Sequence, residues 1–262
     1  MMDDKMVQQN QKIEERMDKI KHKIAVASGK GGVGKSLVAG LIASYLAKNG
    51  NKVGILDADI TGPSIPKMFG VDQMPAQGQE GIVPPISKEG IKVMSLSLVL
   101  HDNSSAVIWR GPMVANAIRQ FMSDIEWGDL DYLIIDLPPG TSDAPLTVMQ
   151  GMKLDGTVVV TSPQQLAFEI VRKAISMSKT MNVRVLGIIQ NMAYALCPKC
   201  GEKFELFGKD DGENLAKLAE VPYLGSIPLD SEISRLADNG LIGEYDKDFV
   251  DSIAKNILEK ID

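Results

Sequence analysis

A glycine-rich loop with two lysines contains the first residues of this chain that could do chemistry. From 29 to 36 the sequence reads Gly-Lys-Gly-Gly-Val-Gly-Lys-Ser, which matches the phosphate-binding pattern G-x-x-x-x-G-K-[ST]. In that pattern backbone N–H groups surround the β-phosphate, the lysine reaches the β- and γ-phosphates, and the hydroxyl binds Mg²⁺. The predicted nucleotide-binding residues are Gly29, Lys30, Gly31, Gly32, Val33, Gly34, Lys35, Ser36 and Leu37, with Ser36 as a magnesium ligand.

Lys30 is an additional cation that ordinary loops of this kind lack. It cannot easily turn back onto a phosphate that its own backbone surrounds, but a partner subunit facing the site could place it there. It would then act in trans, as an arginine finger does. A solvated lysine is the alternative interpretation. Lys30 therefore predicts a homodimer in which this residue and Lys35 are both catalytic.

Three carboxylates follow apolar segments and could complete a nucleotide site. Asp136 ends a strand predicted over 132–137, where an acid commonly holds Mg²⁺ directly or through water. Asp57 and Asp59 end an earlier strand, and alternation along that strand points their side chains the same way. We expect Asp59 to orient the attacking water and to stabilise the Mg²⁺ shell, with Asp57 as a cofactor-binding residue in a supporting role. Loop-capping carboxylates are the alternative.

The two cysteines of the chain, Cys197 and Cys200, are separated by two residues. Thiolates at this spacing can share one metal, but tetrahedral sites need four ligands. A second subunit across a two-fold axis would supply the other pair. Four thiolates accept either zinc or a [4Fe–4S] cluster, and a structural zinc site remains a serious alternative. A thioredoxin-like redox pair is a weaker one.

The elements that would position these residues form an alternating pattern. Apolar segments predict strands at 23–28, 52–57, 91–97, 132–137, 157–161, 184–190 and 223–226. Periodic patterns predict helices at 34–48, 113–125, 144–152, 164–181, 212–219, 231–237 and 247–261. Strands that are apolar on both faces favour a mostly parallel sheet, and ligands bind such sheets at the carboxyl ends of the strands.

The predicted fold is therefore α/β, a single P-loop NTPase domain with a mostly parallel twisted sheet and helices on both faces. Residues 23–262 would form this domain and carry the metal-binding loop near 197–200. Residues 1–22 are highly charged with sparse apolar positions, and they predict an N-terminal helix or tail. The segment 61–90 holds five prolines and predicts a long loop with a short hairpin.

Composition excludes several functional classes. The chain has 262 residues, with 34 acidic and 28 basic side chains and a net charge of −6. This balance disfavours general nucleic-acid binding, which depends on neutralising phosphates. The polar, acidic start does not resemble a signal peptide, and no apolar run approaches the ~20 residues of a membrane helix. Together with the scarcity of cysteine, these features predict a cytoplasmic protein with no membrane partner.

Four motifs together resemble one known family. They are the loop at 29–36, Asp-Ala-Asp-Ile-Thr-Gly-Pro-Ser at 57–64, Asp-Leu-Pro-Pro-Gly-Thr-Ser-Asp at 136–143, and Gln-Asn-Met at 190–192. The loop is similar to the deviant Walker A loop of the MinD/ParA/nitrogenase-iron-protein class of P-loop ATPases. The other motifs resemble its Mrp/ApbC branch of iron–sulfur cluster carriers. The resemblance covers nearly the whole chain after residue 22.

This resemblance implies a nucleotide-sandwich homodimer in which Lys30 crosses to the other subunit. It also implies slow ATP hydrolysis, a labile [4Fe–4S] cluster bridging the subunits, and apo iron–sulfur proteins as acceptors. Asn191 and the backbone around Pro228 would contact the adenine. A MinD/ParA-like positioning switch and an ATPase with a structural zinc at the dimer interface remain open as alternatives, as does an electron-donating reductase.

Overall fold

The computed structural model describes residues 2–59, 62–99, 111–141, 143–163, 167–197, 199–208 and 211–261. Its helices are α1 Met2–Met17, α2 Lys35–Lys48, α3 Ile65–Met68, α4 Gly111–Asp124, α5 Asp143–Gly151, α6 Ala167–Thr180, α7 Gly212–Leu218, α8 Ser231–Asp238 and α9 Asp248–Leu258. Its strands are β1 Ile20–Ala27, β2 Val53–Asp57, β3 Ala76–Gln77, β4 Ile82–Val83, β5 Lys92–Ser95, β6 Leu130–Asp136, β7 Gly156–Thr161, β8 Val185–Leu196, β9 Lys203–Phe204 and β10 Tyr223–Leu229.

The main sheet follows the order β10-β8-β7-β1-β6-β2-β5, and all of these neighbours pair in parallel. Strand β9 adds an antiparallel partner to the end of β8. Strands β3 and β4 form a separate small hairpin. The parallel order puts the carboxyl ends of β1, β2 and β6 side by side at one edge of the sheet, where a ligand is expected to bind.

Alternation along the strands divides the core into two layers. In β1, Ile24 and Val26 pack with α2, α8 and α9 on one face of the sheet. Ala25 and Ala27 face the other side, toward α1, α4 and α5. Further along this second face, α6 and α7 pack on Val159 of β7 and on β8. Apolar side chains on both faces of each strand therefore hold helices against both sides, and the predicted fold class is confirmed.

The N-terminal helix α1 is fixed to the domain by its second half. Ile13 and Met17 are buried in the layer that contains α4. Arg16 is also buried, and its guanidinium donates to the carbonyl oxygens of Ile125 at 2.9 Å and Glu80 at 2.6 Å. Strand β1 then begins at Ile20. The sheet therefore starts earlier than the boundary at residue 23 that the sequence indicated.

Each predicted strand of the main sheet is present, with small differences at its ends. The largest difference is in β8, which continues to Leu196 because Ala195 and Leu196 pair with β9. The predicted long loop contains α3 and the β3–β4 hairpin. Residues 164–166 of the helix predicted at 164–181 lie outside the described residues. No helix in the described part of the chain combines the length and the apolar character needed to cross a membrane.

Candidate functional site

The glycine loop joins β1 to α2 at the carboxyl edge of the sheet. Its neighbours there are β6, where Val26 pairs with Asp136, and then β2, where Asp57 pairs with the same residue. The backbone N–H of Gly140 donates to the carbonyl of Ser28 at 2.9 Å, which ties the turn after β6 to the base of the loop. The loop and the predicted acids are therefore brought together by strand pairing.

Two glycines of the loop are required by close packing. A Cβ on Gly29 would lie 2.3 Å from the backbone oxygen of Ile170 in α6. A Cβ on Gly34 would lie 2.1 Å from Nδ2 of Asn191, and Gly34 has a left-handed φ of 79°. The Asn191 amide donates to the carbonyl of Val33 at 2.9 Å. These contacts press α6 and β8 against the loop, so the loop is braced from both sides.

Replacing Gly34 by alanine should destabilise the protein more than replacing Gly32. Both residues have left-handed φ angles, of 79° and 78°, so each alanine incurs a backbone cost of ~1–2 kcal/mol. Only at Gly34 does the new Cβ also displace Asn191 and break its hydrogen bond, which adds ~1–3 kcal/mol. Urea unfolding of the two nucleotide-free variants checks this difference. Equal decreases in the free energy of unfolding of the two variants would mean that the Asn191 side chain moves aside without cost.

Lys35 lies at the centre of the site. Its ammonium is 2.6 Å from Oδ1 of Asp136 and 3.6 Å from Oδ2 of Asp59, and all three residues are buried. It also donates to the hydroxyl of Ser36 at 3.3 Å. Burial raises the pKa of Asp136, and the Lys35 ammonium opposes that rise. The predicted catalytic lysine and two of the predicted acids thus form one charged cluster.

The same cluster contains oxygen ligands that suit Mg²⁺. The Oδ2 atom of Asp136 is buried and has no hydrogen-bond partner among the described residues. A buried carboxylate oxygen without a partner is costly unless a cation or an ordered water binds it. Ser36 is next to Lys35 in the sequence, at the start of α2, and carries a hydroxyl. Because Mg²⁺ prefers carboxylate, hydroxyl and water oxygens, Asp136 and Ser36 fit the ion.

The Asp57 carboxylate accepts hydrogen bonds from backbone N–H groups. Its Oδ1 accepts from the N–H of Asp59 at 3.1 Å, and its Oδ2 accepts from the N–H groups of Ser64 and Ile65 at 3.1 and 3.2 Å. Ile65 is the first residue of α3, so Asp57 holds that helix against the end of β2. Burial, followed by the charge of Asp136, raises the pKa of Asp57 to about 7. These contacts match the loop-capping alternative, and the supporting role of Asp57 at the nucleotide stays a prediction.

The raised pKa of Asp57 predicts a pH dependence of folding. An aspartate in the unfolded chain has a pKa near 3.9, so the native state binds the extra proton between about pH 4 and 7. The contribution of Asp57 to stability is therefore complete at the acidic end and declines as the pH rises through 7. We expect Asp57→Asn to flatten the free energy of unfolding against pH by up to ~1.4 kcal/mol per pH unit. Asp131→Asn is the control, since the Lys21 ammonium holds the pKa of that carboxylate below its usual range.

A cleft of about 500 Å³ opens over the loop. Of the site residues predicted from the sequence, those that line this cleft are Gly31, Gly32, Gly34, Lys35, Ser36, Leu37 and Asp59. Lys30 is not among them, and its carbonyl accepts from the Ser28 hydroxyl at 2.9 Å. The opposite wall comes from α3 and α8 through Met68, Ile233 and Ser234, which sequence reasoning missed. These side chains form no motif, so only the packing of the two helices reveals them.

Asn191 and Pro228 lie on neighbouring strands next to the loop. Asn191 of β8 is paired with Ile227 of β10, and the pairing shifts register before Leu229. Pro228 is buried at that irregularity. Met192, directly after Asn191, has a left-handed φ of 56°. The Asn191 amide donates to the carbonyl of Val33 in the glycine loop. The adenine contacts expected of Asn191 and Pro228 stay a prediction.

The two cysteines lie at the tip of the β8–β9 hairpin. The N–H of Cys197 donates to the carbonyl of Glu202 at 2.9 Å, and the N–H of Gly201 donates to the carbonyl of Cys197 at 2.8 Å. Gly201 has a left-handed φ of 73°, which closes the turn. Hydrogen bonds from the backbone N–H groups of Cys200 and Lys199 lower the pKa of the Cys197 thiol. The turn therefore favours the thiolate, which is the form that binds metals.

This hairpin and the residues after it form an exposed apolar surface around the cysteines. Cys200 is exposed and Cys197 is half-buried. The apolar surface consists of Leu196, Phe204, Leu206 and Phe207, with exposed fractions of 43–52%. Among the described residues, no three His, Cys, Asp or Glu side chains are grouped to hold a metal. The cysteine pair thus lies beside exposed apolar side chains that are suited to a protein contact.

Comparisons with known proteins find relatives that share most of the length of this chain. An iron–sulfur cluster carrier protein of Methanocaldococcus jannaschii is 48% identical over 98% of this chain and 91% of its own length. A cytosolic Fe-S cluster assembly factor NUBP2 homolog of Culex quinquefasciatus is 46% identical over 86% of this chain and 90% of its own length.

Solved structures of other proteins share the fold of this chain. A nucleotide-binding protein of Archaeoglobus fulgidus in complex with ADP, in which cobalt was found, has a TM-score of 0.82 at 47% identity, covering 92% of this chain and 95% of its own. The Pyrococcus furiosus cell division ATPase MinD has a TM-score of 0.68 at 21% identity, covering 91% and 99%. The second likeness shows the fold alone.

The family comparison covers nearly the whole chain. Residues 19–262 match the description "ParA: NUBPL iron-transfer P-loop NTPase". The glycine loop, the carboxylates at the ends of β2 and β6, and the cysteine hairpin all lie within the matched region. The resemblance inferred from the motifs is confirmed, and this chain belongs to the NUBPL iron-transfer family of P-loop NTPases, among the iron–sulfur cluster carriers.

Proposed function

We propose that two copies of this chain form an ATP-hydrolysing carrier that holds a [4Fe–4S] cluster between them and transfers it to apo iron–sulfur proteins. The observation that carries the proposal is the cysteine turn. It presents two cysteines two residues apart, with the pKa of the Cys197 thiol lowered by backbone N–H groups, in a domain that also has a nucleotide site.

The ligand count supports a shared cluster. Cys197 and Cys200 supply half of the ligands that a Cys₄ site needs. A two-fold axis through the turn would bring an identical pair from the partner. The apolar side chains next to the turn, Leu196 and Phe204, would be buried by this contact. A cluster held at a subunit contact can leave when the contact opens, which suits a cargo better than a structural metal.

The nucleotide site supports ATP hydrolysis. Lys35 would contact the β- and γ-phosphates, and Asp59 would orient the attacking water. Bound Mg²⁺, held by Ser36 and Asp136, would neutralise phosphate charge. Lys30 would reach the partner's γ-phosphate. Because phosphoryl transfer depends mainly on positioning and charge, hydrolysis would be complete only in the closed dimer, and nucleotide state would control the subunit contact.

The names of the relatives support an iron–sulfur cluster as the transferred group and the cytoplasm as the location. The Methanocaldococcus jannaschii protein is an iron–sulfur cluster carrier protein, and the Culex quinquefasciatus protein is a cytosolic assembly factor. The Archaeoglobus fulgidus structure contains ADP and cobalt. We infer a cytoplasmic carrier that binds nucleotide and a transition metal at separate places.

Anaerobic reconstitution of the full-length protein tests the function. We expect four iron and four sulfide ions per dimer, a [4Fe–4S] Mössbauer spectrum, and transfer to an apo-protein that depends on Mg²⁺ and ATP. Tightly bound zinc that iron and sulfide do not replace would favour a structural metal site instead. A cluster that cycles between oxidation states without leaving the protein would favour an electron-donating reductase. Nucleotide-dependent binding to vesicles or DNA without cluster binding would favour a positioning switch.

A further inference from the structure

A second surface, on the face of the sheet covered by α6 and α7, also has the features of a binding site. A groove of about 590 Å³ runs between these two helices. Its apolar lining includes Phe168 and Ile175 of α6 together with Leu218 at the end of α7. Leu218 is 61% exposed, more than any other large hydrophobic side chain among the described residues. A groove with both apolar and polar lining and an exposed leucine at its edge is suited to a partner's side chains.

Two cations lie along this groove. Arg172 and Lys179 are exposed residues of α6 that line it on either side of Ile175. Within the described part of the chain, neither has an ion-pair or hydrogen-bond partner. The whole protein has a net charge of −6, so this arrangement runs against its overall charge. One acid, Glu220, also lines the groove, at the same helix end as Leu218.

The spacing of these side chains defines the shape of a matching partner. Seven residues of an α-helix span ~10.5 Å, so Arg172 and Lys179 stand about two turns apart on one face of α6. The same distance separates two acidic residues at positions i and i+7 of a partner helix. An apolar residue at i+3 or i+4 of that helix would then face the exposed side chain of Leu218.

We propose that the α6–α7 groove is a docking site for an acidic amphipathic helix of another protein. The partner's two carboxylates would pair with Arg172 and Lys179, and its apolar stripe would cover Leu218. This site is independent of the metal and of the proposed carrier function, because it uses no residue of the nucleotide cleft and neither cysteine.

A fluorescein-labelled synthetic helical peptide with glutamates at i and i+7 and leucines at i+3 and i+4 tests the proposal. We expect saturable binding to the full chain by fluorescence anisotropy. Arg172→Glu/Lys179→Glu should weaken it by at least about tenfold, since two attractive pairs become repulsive. Leu218→Ser should weaken it by about tenfold through lost apolar contact. A peptide with lysines in place of the glutamates should bind the charge-reversed variant better than it binds the wild type.

The matched control is Lys19→Glu/Lys255→Glu, which changes the net charge equally at exposed lysines outside the groove. Its affinity for the peptide should stay within about twofold of the wild type. An equal loss in this control, or equal binding of a peptide with its glutamates on the opposite helix face, would overturn the proposal. So would dissociation of the homodimer by Arg172→Glu/Lys179→Glu, or loss of binding to phosphatidylglycerol vesicles in that variant alone, since these assign the groove to a second copy or to lipid. Nucleotide binding by each variant verifies that it is folded.

Discussion

Serine at either Cys197 or Cys200 should abolish cluster binding while leaving nucleotide binding intact. Each substitution would remove two of the four thiolates in the proposed symmetric dimer, and the hydroxyl that replaces each thiol is a poor ligand for iron. Loss of outer-shell partners alone typically costs 10–100-fold in metal affinity, so we expect a loss of at least about 100-fold here. Iron and sulfide content after anaerobic reconstitution measures the effect.

The control for this prediction lies within the same turn. Lys199→Ser changes one of the two residues between the thiols but keeps the backbone N–H that donates to Cys197. It should retain the full complement of iron and sulfide. ATP affinity of the cysteine variants should remain within about twofold of the wild type, because neither cysteine lines the nucleotide cleft. A cluster retained by the double variant Cys197→Ser/Cys200→Ser would show that other residues bind it.

Lys30→Ala should reduce ATP hydrolysis by about 10³-fold, the lower end of the range for cations supplied in trans. Binding of ATP by the monomer should change little, because the Lys30 side chain does not line its own cleft. Lys35→Ala is the comparison, since Lys35 does line that cleft and its loss should weaken nucleotide binding itself. Steady-state hydrolysis and fluorescent-nucleotide titration separate the two effects.

A mixing experiment decides whether Lys30 acts across the dimer. Lys30→Ala and Asp136→Asn should each be inactive alone. In a mixed dimer, the site with an intact Asp136 receives an intact Lys30 from the partner and is active, whereas the other site lacks both. Equal mixing should therefore recover about a quarter of the wild-type rate, because half of the dimers are mixed and each has one working site. No recovery, despite exchange of subunits, would mean that Lys30 acts within its own chain.

The fold and the centre of the site could be predicted because both depend on local patterns. Strands that are apolar on both faces require helices on both sides. Parallel pairing then brings the ends of β1, β2 and β6 together, so Lys35, Asp59 and Asp136 meet as expected. The cysteine spacing likewise indicates a shared metal without any knowledge of the surrounding fold.

The remaining features depend on contacts between distant segments. The partners of Asp57 could not be predicted, because its carboxylate accepts from the N–H groups of Ser64 and Ile65, which lie beyond the end of β2. The position of α1 depends on Arg16, whose acceptors are carbonyl oxygens that no side-chain pattern reveals. The wall of the nucleotide cleft that α8 provides also depends on packing between segments that are distant in the sequence.

Strand β8 connects the two proposed sites, because Asn191 braces the glycine loop and the strand then leads directly into Cys197. If nucleotide changes the affinity for the cluster by some factor, thermodynamic reciprocity requires the cluster to change the affinity for that nucleotide by the same factor. A loaded carrier and an empty one would then respond differently to the same ATP concentration. Iron supply would thereby set how much of the protein is engaged with nucleotide, which makes the carrier a sensor of its own cargo.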